Sequence, residues 1–233
     1  MHIPDVVNGL FQGFPIVFEI LGILAIVKDK KVRGFSISST AFFVLWSLWG
    51  LFYFNNLAQP WSVIGSFGTG AAGACYSFLV FYYVRLERSG KPENKKVMVL
   101  GSLATMAVNR LLGIWLVVAG SAYAGRHWWT DMLNSGFEWA TAVFVFRNCL
   151  ALVRDKEYKG ASFLGVVFYT SWGAWNVFYY LYLRQYWSWA AGLLIFVTNI
   201  AYVSLILRYK FGVKLSLKKL LKRLKPNAPA IVS

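Results

Sequence analysis

The chain has 233 residues, of which 58% are hydrophobic and only 14% charged, with a net charge of +15 and a mean hydropathy of +0.53. A soluble domain of this size would carry about a quarter charged residues, so a soluble globular fold is excluded. The positive balance does not imply nucleic-acid binding, because 20 of the 24 Lys and Arg fall in four clusters between or after apolar stretches.

Seven such stretches, near 6–27, 39–58, 61–84, 97–120, 133–153, 163–183 and 187–208, approach or exceed the roughly 20 residues that a bilayer core requires. Backbone groups in lipid must bond within their own segment, and runs of this length do not suit barrel strands, so all seven are read as helices. The first carries Glu19 and Pro15, a candidate kink and gate hinge. It lacks a basic leader and a small-residue cleavage site and is expected to stay in place. The second holds Trp46, Trp49 and Tyr53. The short links Ala58-Gln59-Pro60 and Arg184-Gln185-Tyr186 predict tight hairpins between the second and third and the sixth and seventh stretches. The fourth bears Asn109-Arg110, and the fifth Glu138 and Arg147. In the sixth, Trp172, Trp175, Asn176 and Tyr179 stand at i, i+3, i+4 and i+7, one stripe on one helix face. The seventh carries Asn199 near its middle, three residues before Tyr202. Trp61, Trp128, Trp129, Trp187 and Trp189 fit an interfacial belt. After the last stretch, residues 213–225 alternate apolar and basic side chains at helical spacing. This tail is read as an anchor drawn to anionic inner-leaflet lipid.

The basic clusters fall between stretches 1 and 2, 3 and 4, and 5 and 6, and after 7. Seven spans place all of them on one side, whereas an even number would scatter them. Cytoplasmic loops are enriched in Lys and Arg, so the expected topology is multi-pass in the cell membrane, N-terminus outside and C-terminus cytoplasmic. Charges within spans need partners. Glu19 with Arg147, at similar depth in the inner third, and Arg110 with Glu138, in the outer half, are read as ion pairs joining two bundles.

Residues 28–84 return without a gap, shifted by 126, as residues 154–210, and 16 of the 57 aligned positions are identical. The duplication implies a 3+1+3 architecture of two parallel three-helix repeats joined by a connector helix. The expected divisions are 1–84 for the first repeat, 85–132 for the connector, 133–210 for the second repeat and 211–233 for the tail. Trp46, Trp49, Gly50 and Tyr53 repeat the stripe of the sixth stretch. Two such stripes facing each other could sandwich a flat or ring-shaped polar solute, with Asn176 and Asn199 supplying hydrogen bonds. The candidate binding set is Trp46, Trp49, Tyr53, Trp172, Trp175, Asn176, Tyr179, Asn199 and Tyr202. Gly73 stands opposite Asn199 in the first repeat, which predicts an amide on one side and open space on the other. Filling of helix-packing gaps is the competing reading of the Trp, and an interhelical bond that of Asn199. Cys75 and Cys149 form no CxxC pair, and His2 and His127 lie far apart, so neither disulfide nor metal chemistry is expected.

The pattern basic-Asp-Lys-x-x-basic-Gly-x-Ser, the Trp-bearing second helix and the 3+1+3 layout resemble the SWEET, SemiSWEET and PQ-loop superfamily. Lys30, Gly34, Ser36, Phe42, Trp46 and Gly50 carry the resemblance in the first repeat. It implies facilitated passage of sugars or similar small polar solutes along a path between the bundles. Trp46 and Trp172 would then flank the solute, and Asn199 would match the family's asparagine on the last helix. The first and fifth helices end without that family's Pro-Gln pair. The Trp-rich helices are also similar to nicotinamide-riboside vitamin transporters.

The expected function is alternating-access transport of a small, sugar-like polar solute. A vitamin or nucleoside transporter, or a non-transporting receptor or sorting protein on the same scaffold, stands as the alternative, because fold does not fix function. No paired acids, His cluster or nucleophile–base constellation appears, so neither an enzymatic reaction nor a cofactor is expected. One chain holds both repeats and suffices for a path; a dimer is compatible with it.

Overall fold

The computed structural model describes residues 3–123 and 128–212. They form α1 (Ile3–Phe11), α2 (Gly13–Asp29), α3 (Ile37–Asn56), α4 (Pro60–Ser89), α5 (Lys95–Ala122), α6 (Trp128–Asp155), α7 (Phe163–Tyr182) and α8 (Tyr186–Phe211). The chain is an all-α, multi-pass membrane protein. The basic tail, His2, Arg126 and His127 lie outside the described residues.

Helices α1 and α2 are two halves of the first span, parted at Gln12. The cause is Pro15, which has no N–H to offer the Phe11 carbonyl four residues earlier and whose ring crowds it. The break therefore falls ahead of the proline. This span and α3, α4, α5, α6 and α8 are long and apolar enough to cross a membrane. Helix α7 is as long as α3 but falls short in hydropathy, because Asn176 stands within it and it carries Tyr169, Tyr179, Tyr180 and Tyr182 where α3 has Tyr53 alone. Its packing along α2 and α8 keeps it parallel in role to α3.

Helix ends follow local chemistry. Pro60 opens α4, where a missing N–H costs nothing. Asn94 caps α5 by accepting from Val97 N at 3.2 Å, and Ser162 caps α7 by accepting from Gly165 N at 3.3 Å. Left-handed backbone recurs at the offset of 126: Lys30 and Lys156, Gly34 and Gly160, Ala58 and Arg184 all have positive φ.

Helix α4 touches both α2 and α3, and α8 likewise touches α6 and α7. The resulting bundles meet where α2 packs on α7 and α3 on α6. Helix α5 packs on α3 and α4, flanking the first bundle. On the face that carries the basic loops, Lys30 bonds to Glu93 and Arg33 to Glu87. Lys30 holds the Glu93 carboxyl below the usual carboxylate range, and Glu87 raises the Arg33 guanidinium further. Both pairs are at the surface and contribute little each.

The two ion pairs expected within the spans are not formed. Arg110 donates to the Phe67 carbonyl at 2.6 Å and lies over the Phe67 ring. Its helix, α5, faces α4 and does not pack on α6, which carries Glu138. Arg147 is exposed, lies over the Phe144 ring, and lines a cavity of about 820 Å3 on the basic face. Glu19 instead faces α4, because α2 and α6 are not packed together. Equal depth placed these charges at one height; helix azimuth keeps them apart. Trp61, Trp128 and Trp187 are exposed, as a belt position requires.

Candidate functional site

The seam between the bundles is organised in three layers. At the basic face the α2–α3 and α6–α7 loops cross. Arg33 and Lys159 exchange backbone hydrogen bonds, each 3.1 Å. Gly34 N donates to Asp155 Oδ2 at 2.9 Å, and Gly160 N donates to Asp29 Oδ2 at 2.9 Å. The Tyr76 hydroxyl donates to the Gly160 carbonyl at 2.9 Å, and the Tyr202 hydroxyl to the Gly34 carbonyl at 2.8 Å. Each bond has its counterpart 126 residues on. The backbone approach requires glycine: Gly34 and Gly160 have φ of +79° and +78°. A Cβ on Gly34 would stand 2.5 Å from the Glu157 carbonyl oxygen, and one on Gly160 would collide with that of Lys31.

The opposite face is closed by a second reciprocal set. Trp49 Nε1 on α3 donates to Asn134 Oδ1 on α6 at 3.2 Å, and Trp175 Nε1 on α7 donates to Asn8 Oδ1 on α1 at 3.0 Å. Each asparagine is itself held: Asn8 donates to Ser62 Oγ at 2.9 Å and Asn134 to Ser188 Oγ at 3.2 Å. Asp5 accepts from Ser62 N and Oγ, at 3.1 and 2.7 Å. In the other half, Asp131 accepts from the Tyr53 hydroxyl at 3.3 Å and from Gln185 Nε2 at 2.8 Å. Phe11 stacks on Trp175 and Phe137 on Trp49, with centroids 4.8 and 5.5 Å apart.

Between the two lies an aromatic layer. Trp46 and Trp172 meet edge to face, centroids 5.0 Å apart at 78°, and Trp172 is fully buried. Tyr169 packs on Trp172 at 5.3 Å. The fully buried Glu138 carboxyl accepts from the Tyr180 hydroxyl, and the Trp46 indole is turned toward it without completing a hydrogen bond. Asn199, 1% exposed, brings its Nδ2 against Gly173, next to Trp172. Trp172 Nε1, the Tyr169 hydroxyl and Asn199 Nδ2 have no hydrogen-bond partner among the described residues. Buried polar groups are normally bonded. Others without a partner among the described residues lie elsewhere, at Asn109, Tyr158 and Tyr179 among them, but here three gather at one tryptophan, where water or a hydroxylated ligand would bond them.

The nine sequence candidates thus divide by layer. Trp46, Trp172 and Asn199 gather at the middle, and Asn176 is buried one turn farther along the α7 stripe. Trp49, Tyr53 and Trp175 belong to the closure opposite the basic loops, and Tyr179, beside Gln59 and Ser62, stands with them. Tyr202 is not part of a solute sandwich; its hydroxyl is committed to the basic-face crossing. The open space expected at Gly73 is filled by the Glu19 carboxyl. Sequence reasoning missed Asp5, Asn8, Asp131, Asn134 and Tyr169. The missing clue is the offset itself: Asp5, Asn8 and Phe11 precede Asp131, Asn134 and Phe137 by 126, upstream of the segment first compared.

Among the described residues, no group of three His, Cys, Asp or Glu gathers to hold a metal ion. Comparison with models of protein families, with curated proteins and with solved structures finds no match to this chain.

Proposed function

We propose that this chain carries a small polar, sugar-like solute across the membrane by alternating access, with its basic face toward the cytoplasm. The observation that supports the reading most directly is the set of unpartnered donors around Trp172, enclosed between two closures whose bonds run from one bundle to the other. A hydroxylated solute would satisfy Trp172 Nε1, Asn199 Nδ2 and the Tyr169 hydroxyl once the Trp46 and Trp172 rings, in contact in this closed arrangement, part to stack on its apolar faces.

The energetics suit a gate. Six hydrogen bonds join the two loops and the tyrosines at the basic-face crossing, and Ser36 N and the Ser39 hydroxyl add two more across the same seam to Asn148. At about 1 kcal/mol net for each, opening that face costs on the order of 8 kcal/mol. A shift from 1:99 to 99:1 between two states needs about 5.5 kcal/mol of differential binding, so the two quantities are commensurate. One closure can then break while the other holds.

The reading is tested with purified protein in liposomes, offered labelled sugars, nucleosides and vitamins down a gradient. Saturable uptake of at least one is expected, lost in the Trp46→Ala, Trp172→Ala double variant. Saturable binding without uptake would replace the transporter by a receptor on the same scaffold.

A further inference from the structure

Glu19 on α2 is 5% exposed and forms no salt bridge among the described residues. Its Oε1 lies 2.6 Å from where a Cβ would stand on Gly73 of α4, so the glycine makes the room that the carboxyl occupies. Its Oε2 has no hydrogen-bond partner among the described residues. The carboxyl opens on a small, partly open chamber of about 30 Å3, bounded by Phe18, Ser39, Thr40, Tyr76, Ser77 and Asn148. That is room for one water-sized occupant. Ser77 Oγ is also unpartnered, whereas Ser39 Oγ donates to Asn148 Oδ1 at 2.9 Å and Thr40 Oγ1 to the Ile37 carbonyl at 2.8 Å.

The helices packed against α2 present no compensating charge. From α4 the titratable neighbour is Tyr76, and from α7 it is Tyr169. From α3 and α6, which also border the chamber, come Ser39, Thr40 and Asn148. Arg147, beside Asn148 in sequence, is turned to the Phe144 ring and the basic-face cavity. An isolated carboxylate in such a place is strongly disfavoured, and the group neutralises by taking up a proton. The two halves differ at this spot. Glu19 and Gly73 of the first correspond to Val145 and Asn199 of the second. One half places an amide at this spot; the other places an acid.

We propose that Glu19 and the chamber before it form a proton-binding site, neutral in this closed arrangement and open to exchange with solvent. Its use in coupling proton movement to solute movement rests on the transport reading above; the proton site itself does not.

The test is infrared spectroscopy of the full-length protein in lipid at neutral and alkaline pH, on wild type, Glu19→Gln and Glu138→Gln. Wild type is expected to show the C=O stretch of a protonated, buried carboxylic acid at neutral pH. One component should vanish in Glu19→Gln, persist in Glu138→Gln and convert reversibly to carboxylate in alkali. Should Glu19→Gln fold poorly, Glu19→Asp must shift the same component. A carboxylate band lost from Glu19→Gln at neutral pH would overturn the proposal. So would thermal stabilisation of wild type by sodium chloride over choline chloride that Glu19→Gln loses, since the occupant would then be sodium. Absence of any solute flux would sink the transport reading and leave this result standing.

Discussion

Trp172→Ala should abolish solute flux and destabilise the protein by about 3–5 kcal/mol, the range for truncating a buried large aromatic. Trp172 is fully buried, touches Trp46 and Tyr169, and belongs to a cluster with Val145 on α6. Alanine would leave a cavity at the point where both bundles meet, and neither can collapse into it without sliding past the other. Stability and function separate in the conservative variant. Trp172→Phe keeps an aromatic face and most of the volume, so its unfolding temperature should fall only modestly. It removes Nε1, one of the three unpartnered donors, so solute affinity should drop by the worth of a hydrogen bond, about 1 kcal/mol or roughly fivefold. Unfolding temperature in detergent and uptake in liposomes, measured on the same preparations, check both. Full flux in Trp172→Ala would remove the middle layer from the account.

Gly160→Ala should hold the basic face open. Alanine at φ near +78° costs roughly 1–3 kcal/mol, and its methyl would meet the Lys31 carbonyl across the seam. The clash falls within the loop crossing, so relief requires the loops to part. Parting them breaks the Arg33–Lys159 backbone pair and frees the Tyr76 and Tyr202 hydroxyls from Gly160 and Gly34. Cys149, 7% exposed and packed in the cluster beneath the crossing, gives the readout. Its labelling by a water-soluble maleimide should speed up at least tenfold in Gly160→Ala, and Gly34→Ala should act alike because the crossing is reciprocal. A labelling rate equal to wild type in both variants would show that the crossing is not a gate.

Although among the described residues only six of the seven expected spans are long and apolar enough to cross a membrane, the all-helical, multi-pass character was legible because apolar length runs along the chain. The Pro15 interruption was legible for the same reason. Azimuth is not written in one dimension. The depths of Glu19, Arg147, Arg110 and Glu138 suggested ion pairs, but α2 does not pack on α6, nor α5 on α6. The stripe Trp172, Trp175, Asn176, Tyr179 was read correctly as one helix face, yet one face spans two layers. A helix rises about 1.5 Å per residue, so Tyr179 stands about 10 Å beyond Trp172, among the groups that close the far end. Gly73 looked like open space because a glycine says only that something comes near; the acid on α2 that fills it lies 54 residues away. Asp5 and Asn8 were overlooked because α1 resembles ordinary apolar sequence until it is set against residues 131–138.

The central claim is that the two closures open in turn. Spin labels placed on a background of Cys75→Ala and Cys149→Ala can report this directly, one pair at the exposed, equivalent positions Lys28 and Arg154 and another at Trp61 and Trp187. Interspin distances by pulsed electron resonance should be short for both pairs in wild type. Gly160→Ala should lengthen the first alone, and the double variant Asn8→Ala, Asn134→Ala the second alone. Distances that lengthen together in either variant, or stay unchanged in both, would contradict alternating closure between the bundles.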